Sequence, residues 1–250
     1  MRSLKLCLIL LLSIELHAKS QVPEVTVNSG DLSFLKGQTT LNVQFVYDGM
    51  LVSQFSEPIF LKQKKSEYRK TADYEKFMSD WEADRAGKYE PKFLKQLNLT
   101  LFRADIKADM GLGDAKYIMI VKTAKTEPGF YHGSSGMKRD TYINLVVNFV
   151  ETADTNHVLC TVKANYIVGE TDNLAEMKET NTRITYAYGA AADKISKIIY
   201  KECTKKEKVV KEVKPEIKND DKSVKDKEDK PVKDKKEKEK KKKKDKDDDE

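Results

Sequence analysis

The sequence is poor in the residues that carry most enzyme chemistry. It has three histidines, three cysteines and one tryptophan in 250 residues. His17 and Cys7 fall in the first twenty positions, so the rest of the chain holds only His132, His157, Cys160 and Cys203. Two cysteines with scattered histidines match no zinc-ligand spacing, and a structural tetrahedral site takes four ligands. No metal and no cofactor is expected. A nucleophile with a base and an orienting acid has little to draw on. Long apolar runs are also missing. After Ile14 no stretch approaches the roughly 20 apolar residues of a membrane-spanning helix, so the chain is not expected to be an integral membrane protein.

Charge is plentiful but unevenly placed. The whole chain is 35% charged with a formal net charge of +6, where about 25% charged residues is usual. Residues 204–250 hold 20 lysines and 16 acidic residues, a balance of +4. The remainder holds 27 basic and 25 acidic residues, a balance of +2. The basic character therefore belongs mostly to the tail, and the body is nearly neutral.

The first twenty residues read as a leader. Arg2 and Lys5 are basic, Leu6 to Leu12 open an apolar run that ends near Ile14, and Ala18-Lys19-Ser20 has the small-x-small form of a cleavage site. The mature chain would start at Gln21, with an uncleaved anchor as the alternative. Cys7 sits inside the apolar run and is not a lipid-attachment cysteine. The expected organisation is a signal peptide 1–20, one domain 21–203 and a charged tail 204–250. The domain has about 180 residues, enough for a substantial core.

Within the domain, Leu41, Val43, Phe45 and Tyr47 alternate with polar residues as a half-buried strand does. Asp48-Gly49 marks a turn, Met50-Leu51-Val52 a short returning strand, and Leu32, Phe34 and Leu35 an apolar plug. From 64 to 98 the spacing predicts a broken helix pair, with Tyr68, Ala72, Phe77, Trp81 and then Arg85 or Tyr89 on one stripe, Ser66 as a cap and Pro91 in the first turn of the second helix. Tyr117 to Val121 reads as a central strand covered on both faces. Ile143, Leu145, Val147 and Phe149 form one alternating strand and Val158, Cys160, Val162, Ala164 and Tyr166 another, joined as a hairpin. Ile184, Tyr188, Ala191, Ile195, Ile198 and Ile199 define an amphipathic helix over 181–203. The order predicts an α+β fold with an antiparallel or mixed sheet of about four to five strands, the helix pair and the last helix packed on it.

Cys160 and Cys203 both fall on core-facing positions of this pattern, which makes them disulfide candidates; two buried free thiols are the alternative. The loop Phe130 to Asp140 is the candidate contact surface, through Phe130, Tyr131, His132, Lys138 and Arg139. The same loop is the only place for a hydrolase, with His132 as base to Ser134 or Ser135, but it lacks a strand-to-helix elbow and an orienting acid. Gly111-Leu112-Gly113 precedes a strand rather than following one, the wrong order for a phosphate cradle. Asp80, Glu82 and Asp84 do not share one helical face and read as a solvated flank beside Trp81. Asn98-Leu99-Thr100 is a formal glycosylation acceptor, taken as chance because Leu97, Leu99 and Leu101 look partly buried.

The tail offers almost no apolar surface to offset its ordering entropy and is expected to be disordered. The near balance of its charges reads as a self-neutralising, solubilising tail; tethering to an anionic surface through the five-lysine block Lys240, Lys241, Lys242, Lys243 and Lys244 is the alternative. The tail has no aromatic residue to stack on bases, so no nucleic-acid partner is expected.

Four stretches carry a resemblance: Asn28 to Gly37 (NSGDLSFLKG), Asp80 to Arg85 (DWEADR), Asp114 to Ile118 running on to Glu127-Pro128-Gly129-Phe130, and Phe149 to Thr152 (FVET). Together they resemble an uncharacterised family of small exported proteins of Bacteroidetes-type bacteria, over most of 24–203 and not in the tail. The resemblance implies a Gram-negative envelope location and carries no known activity. The element order is also loosely similar to the domain of curli-secretion-type envelope lipoproteins, in topology only. The resulting expectation is an exported, periplasmic or extracellular, non-enzymatic protein peripheral to the envelope, binding an unknown envelope component.

Overall fold

The computed structural model describes residues 22–132, 137–171 and 173–205. The leader and the five-lysine block lie outside the described residues. Among the described residues the strands are β1 (Glu24–Gly30), β2 (Thr40–Val46), β3 (Leu51–Val52), β4 (Phe55–Ser56), β5 (Lys107–Asp109), β6 (Tyr117–Glu127), β7 (Phe130–His132), β8 (Met137–Arg139), β9 (Tyr142–Glu151) and β10 (Asp154–Val168). The helices are α1 (Glu57–Glu67), α2 (Thr71–Asp84), α3 (Glu90–Leu101), α4 (Leu174–Met177) and α5 (Thr180–Thr204).

The fold is α+β, but the sheet is larger than expected. It has eight strands in the order β1-β10-β9-β6-β2-β5, with β3 and β4 attached beside β6. β1, β10, β9 and β6 are mutually antiparallel, while β6, β2 and β5 run parallel. The parallel half follows from the helices α1 to α3, which lie between β2 and β5 in the chain and carry it back to the same end. β4 and β5 are pieces of two and three residues, too short to show a period, and β1 is an edge strand of seven residues.

One face of the sheet is the core. Phe45, Val121, Val147 and Val162 form a continuous row across four strands, because each is paired in register with the next. The neighbouring row is Met119, Phe149 and Cys160, all fully buried. Helix α5 covers this face with Ile184, Tyr188, Ala191, Ile195 and Ile199, all buried, while Ile198 is half-buried. Each such apolar side chain contributes roughly 1.5–3 kcal/mol on burial. The Tyr188 and Thr123 hydroxyls share a hydrogen bond of 2.6 Å that ties α5 to β6. Leu32 and Leu35 are fully buried, as a plug would be.

Several expectations change. β6 is central, yet its second face is only partly covered: Ile118 is buried, Ile120 half-buried and Lys122 exposed. On β10, Val158 is exposed and Tyr166 does not enter the core. Register shifts fall between Val158 and Cys160 and between Ala164 and Ile167, and Tyr166 has φ 52°. Each shift resets the alternation, so Ile167 takes the core position instead. The helix pair over 64–98 is three helices that start at Glu57, where Pro58 fits the first turn. Ser66 is not a cap; its hydroxyl donates to the Gln63 carbonyl inside α1. Gly87 does not break the chain of helices. Residues 85–89 form a π-helical turn, with the Glu90 N–H bonded to the Arg85 carbonyl five residues back. Pro91 sits in the first turn of α3, as its missing N–H allows.

The outer edge of β5 is closed by a side chain. Asn98 on α3 donates from Nδ2 to the Ala108 carbonyl at 2.7 Å and accepts from the Ala108 N–H at 2.9 Å. The amide imitates a neighbouring strand. The formal glycosylation site is thus occupied by a structural contact. Leu99, expected to be partly buried, is 61% exposed, because α3 turns Leu97 and Leu101 to the core instead.

Candidate functional site

The turn Glu127-Pro128-Gly129 sends the chain out of the main sheet. Gly129 has φ 59°, and a Cβ there would meet the Arg139 carbonyl oxygen at 2.4 Å. Only glycine lets β7 fold back this closely on β8. The segment expected as a loop is therefore a separate two-stranded hairpin, pairing Phe130 with Arg139, Tyr131 with Lys138 and His132 with Met137.

A buried polar network roots the hairpin. The Glu127 carboxylate is 3% exposed and receives the Arg139 guanidinium at 3.1 Å, the Ser53 hydroxyl at 3.1 Å and the Gly129 N–H at 3.4 Å. Behind it lies Arg183, only 6% exposed. Its Nε donates to Thr141 Oγ1 at 2.8 Å, and its Nη2 to Thr180 Oγ1 at 3.1 Å and the Pro128 carbonyl at 3.3 Å. Thr141 in turn donates to the Pro128 carbonyl at 2.7 Å. Burial pulls the Arg183 pKa down, yet guanidinium stays charged at neutral pH. Gly169 closes the end of β10 onto α5: a Cβ there would meet the Arg183 carbonyl oxygen at 1.8 Å.

Hairpin and α5 together enclose a cleft of about 340 Å³ that carries Phe130, Tyr131, Lys138 and Arg139, with Thr171 and Arg183 beyond. Four of the five expected contact residues are therefore brought together. The side chain of His132 and residues 133–136 lie outside the described residues, and the hydrolase pairing with Ser134 or Ser135 falls there. Arg183, Glu127 and Thr141 escaped the sequence reading. An arginine one position before Ile184 at a helix start reads as solvated, and nothing local says that the β6–β7 turn lies over it.

A second cleft, of about 420 Å³, opens between α1, α2 and the start of α5. Phe60, Phe77, Trp81, Asp84, Tyr89 and Ile184 line it. The Trp81 indole N–H donates to Glu57 at 2.6 Å, and the Arg85 guanidinium pairs with the same carboxylate. Arg85 lies over the Tyr47 ring at 4.6 Å, and Tyr89 stacks on Tyr188 at 5.2 Å with rings 4° apart. Burial raises the pKa of Tyr47, Tyr89 and Tyr188, so all three are neutral phenols. Asp80 and Glu82 are exposed as expected of a solvated flank, but Asp84 is buried and pairs with Lys88 at 2.7 Å. Among the described residues no group of three histidine, cysteine or acidic side chains is placed to hold a metal ion.

Cys160 is buried and Cys203 half-buried, and both are free thiols. The candidate bridge is not formed in this structure. Burial pushes the Cys160 thiol up to about 11 and raises that of Cys203.

No protein-family model matches the chain, and no curated protein sequence does. Two solved structures of the PelC dodecamer from Paraburkholderia phytofirmans are distantly similar. One, of a point variant in space group C2, is 10% identical with TM-score 0.32, covering 69% of this chain and 99% of that one. The other, in space group P6, is 12% identical with TM-score 0.33, covering 72% of this chain and 94% of that one. A likeness at these scores assigns neither fold nor role to this chain.

Proposed function

We propose that this chain is an exported, non-catalytic binding module of the bacterial envelope, periplasmic or extracellular, and that it meets its partner through the β7–β8 hairpin. The observation that carries the reading is the hairpin cleft, where Phe130, Tyr131, Lys138 and Arg139 stand together on a separate two-stranded sheet. Phe130 is 42% exposed and Met137 60% exposed, and apolar surface flanked by cations is what a recognition surface offers. The hydrogen-bonded base at Glu127 and Arg183 anchors that surface to the main sheet and α5, which lowers the ordering cost of binding. Export rests on the leader pattern, and the envelope location on the family resemblance.

The test uses the full chain. Tyr131→Ser with Lys138→Glu is compared with wild type for retention on isolated envelope fragments, by cosedimentation at low and physiological salt. The variant should bind at least about ten-fold more weakly, as loss of an aromatic anchor and reversal of a rim charge require. Equal retention of the two proteins overturns the reading. Mass analysis of the exported product should find Gln21 as its first residue, and a retained Met1 rejects the leader.

A further inference from the structure

Among the described residues, two buried side-chain polar atoms lack a hydrogen-bond partner, the hydroxyls of Tyr47 and Tyr89. A buried hydroxyl in that state carries an uncompensated desolvation penalty, which a ligand that reaches it relieves. Tyr89 is 5% exposed and belongs to the floor of the cleft between α1, α2 and α5. Its ring is held in place by stacking on Tyr188, and Tyr188 is anchored by Thr123. The π-helical turn over 85–89 ends on Tyr89, which lines the cleft together with Trp81.

The groups around that hydroxyl define a chemistry. The wall is aromatic, with Trp81 ring centroids at 5.6 Å from Phe60 and 5.9 Å from Phe77. Beside it is Asp84, whose side chain is 8% exposed and whose Oδ1 is engaged by Lys88. Asp73 and Asp80 line the same cleft. Of the lysines that line it, Lys76 pairs with Asp80 of the same cleft and Lys64 with Glu67 outside it, each at 2.7 Å. An anion would face three carboxylates. A neutral alcohol would satisfy Tyr89 but bring no positive charge to a lining in which three carboxylates face two lysines.

We propose that this cleft binds a primary alkylammonium group, which donates hydrogen bonds to the Asp84 carboxylate and to the Tyr89 hydroxyl oxygen while its alkyl chain lies against Trp81 and Phe77. An ammonium is a pure donor, so it suits a carboxylate and a phenol oxygen at once. An indole face beside it adds cation–π attraction in a partly dry site. The cleft volume of about 420 Å³ is in the range of small-ligand sites. This site is distinct from the hairpin cleft and stands or falls without it.

Trp81 is the single tryptophan of the chain, so intrinsic fluorescence reports on the cleft directly. The full chain is titrated with n-hexylammonium, n-hexanol and hexanoate at constant ionic strength. The ammonium should give a saturable change, at least about ten-fold tighter than the alcohol, and hexanoate none. Asp84→Asn should abolish the preference for ammonium over alcohol, and Tyr89→Phe should weaken ammonium binding about three-fold or more with unchanged circular dichroism. Equal affinity for ammonium and alcohol, or no saturable response to ammonium, overturns the proposal on the wild-type protein alone. An Asp84→Asn variant that keeps the full preference also overturns it.

Discussion

Asn98 offers the sharpest test of how the sheet is closed. Its amide makes three hydrogen bonds: from Nδ2 to the Leu94 carbonyl at 2.9 Å, from Nδ2 to the Ala108 carbonyl at 2.7 Å, and from the Ala108 N–H to Oδ1 at 2.9 Å. Ala108 is 1% exposed, so water does not readily replace the amide. Asn98→Ala leaves a buried N–H and a buried carbonyl without partners, at about 1–3 kcal/mol each. The gain in helix propensity returns about 0.5 kcal/mol. The net loss is about 1.5–5.5 kcal/mol, which for a domain of this size lowers Tm by roughly 3–20 °C. Asn98→Asp keeps the acceptor for the N–H but turns a second oxygen toward the Ala108 carbonyl. That repulsion raises the carboxyl pKa in the folded state, so the variant should be least stable at pH 7 and regain stability as pH falls through about 5, where the protonated group can donate. Urea unfolding of the full chain, followed by circular dichroism at pH 7 and pH 4.5, measures both. If Asn98→Ala stays within about 0.5 kcal/mol of wild type, the amide is not closing the edge and the reasoning is wrong.

Two further outcomes are expected. Thr123→Val removes the partner of the fully buried Tyr188 hydroxyl and should destabilise the fold by about 1–2 kcal/mol; Tyr188→Phe in the same background should recover part of that loss in a double-mutant cycle, and strict additivity would show that the two hydroxyls are uncoupled. In thiol labelling of the native protein at pH 8, Cys160, with its thiol pushed up to about 11, presents about one thiolate in a thousand and should react far more slowly than the half-buried Cys203. Absence of any labelling after denaturation without reductant would mean that the two are bridged.

The core was legible because it obeys period rules. Ile143 to Phe149 alternate, and Ile184 to Ile199 repeat at helical spacing, whatever their partners. Where the backbone departs from a period the reading slipped: at the shifts near Val158 and Tyr166, and at the π-helical turn over 85–89, which carries no composition signal beyond Gly87. The hairpin cleft was half legible. Phe130, Tyr131, Lys138 and Arg139 are contiguous enough to be picked out by their exposure and charge. Arg183 reaches them from a helix more than forty residues further on, and Glu127, although only three residues before Phe130, is buried by the packing and not by any local pattern. Asp84 belongs to the same class: an acidic residue on a charged helix looks solvated, and only the folded chain buries it.

By itself the sequence determined the leader pattern, the neutral body with its charged tail, and the α+β class. These depend on local composition and periodicity, which each segment carries alone. Only the tertiary structure decided the eight-stranded sheet, the amide that closes its edge, and the two clefts that flank the start of α5. Each of these is a meeting of short or ordinary segments across ten or more residues of chain, and such meetings are set by packing and hydrogen-bond satisfaction rather than by local preference.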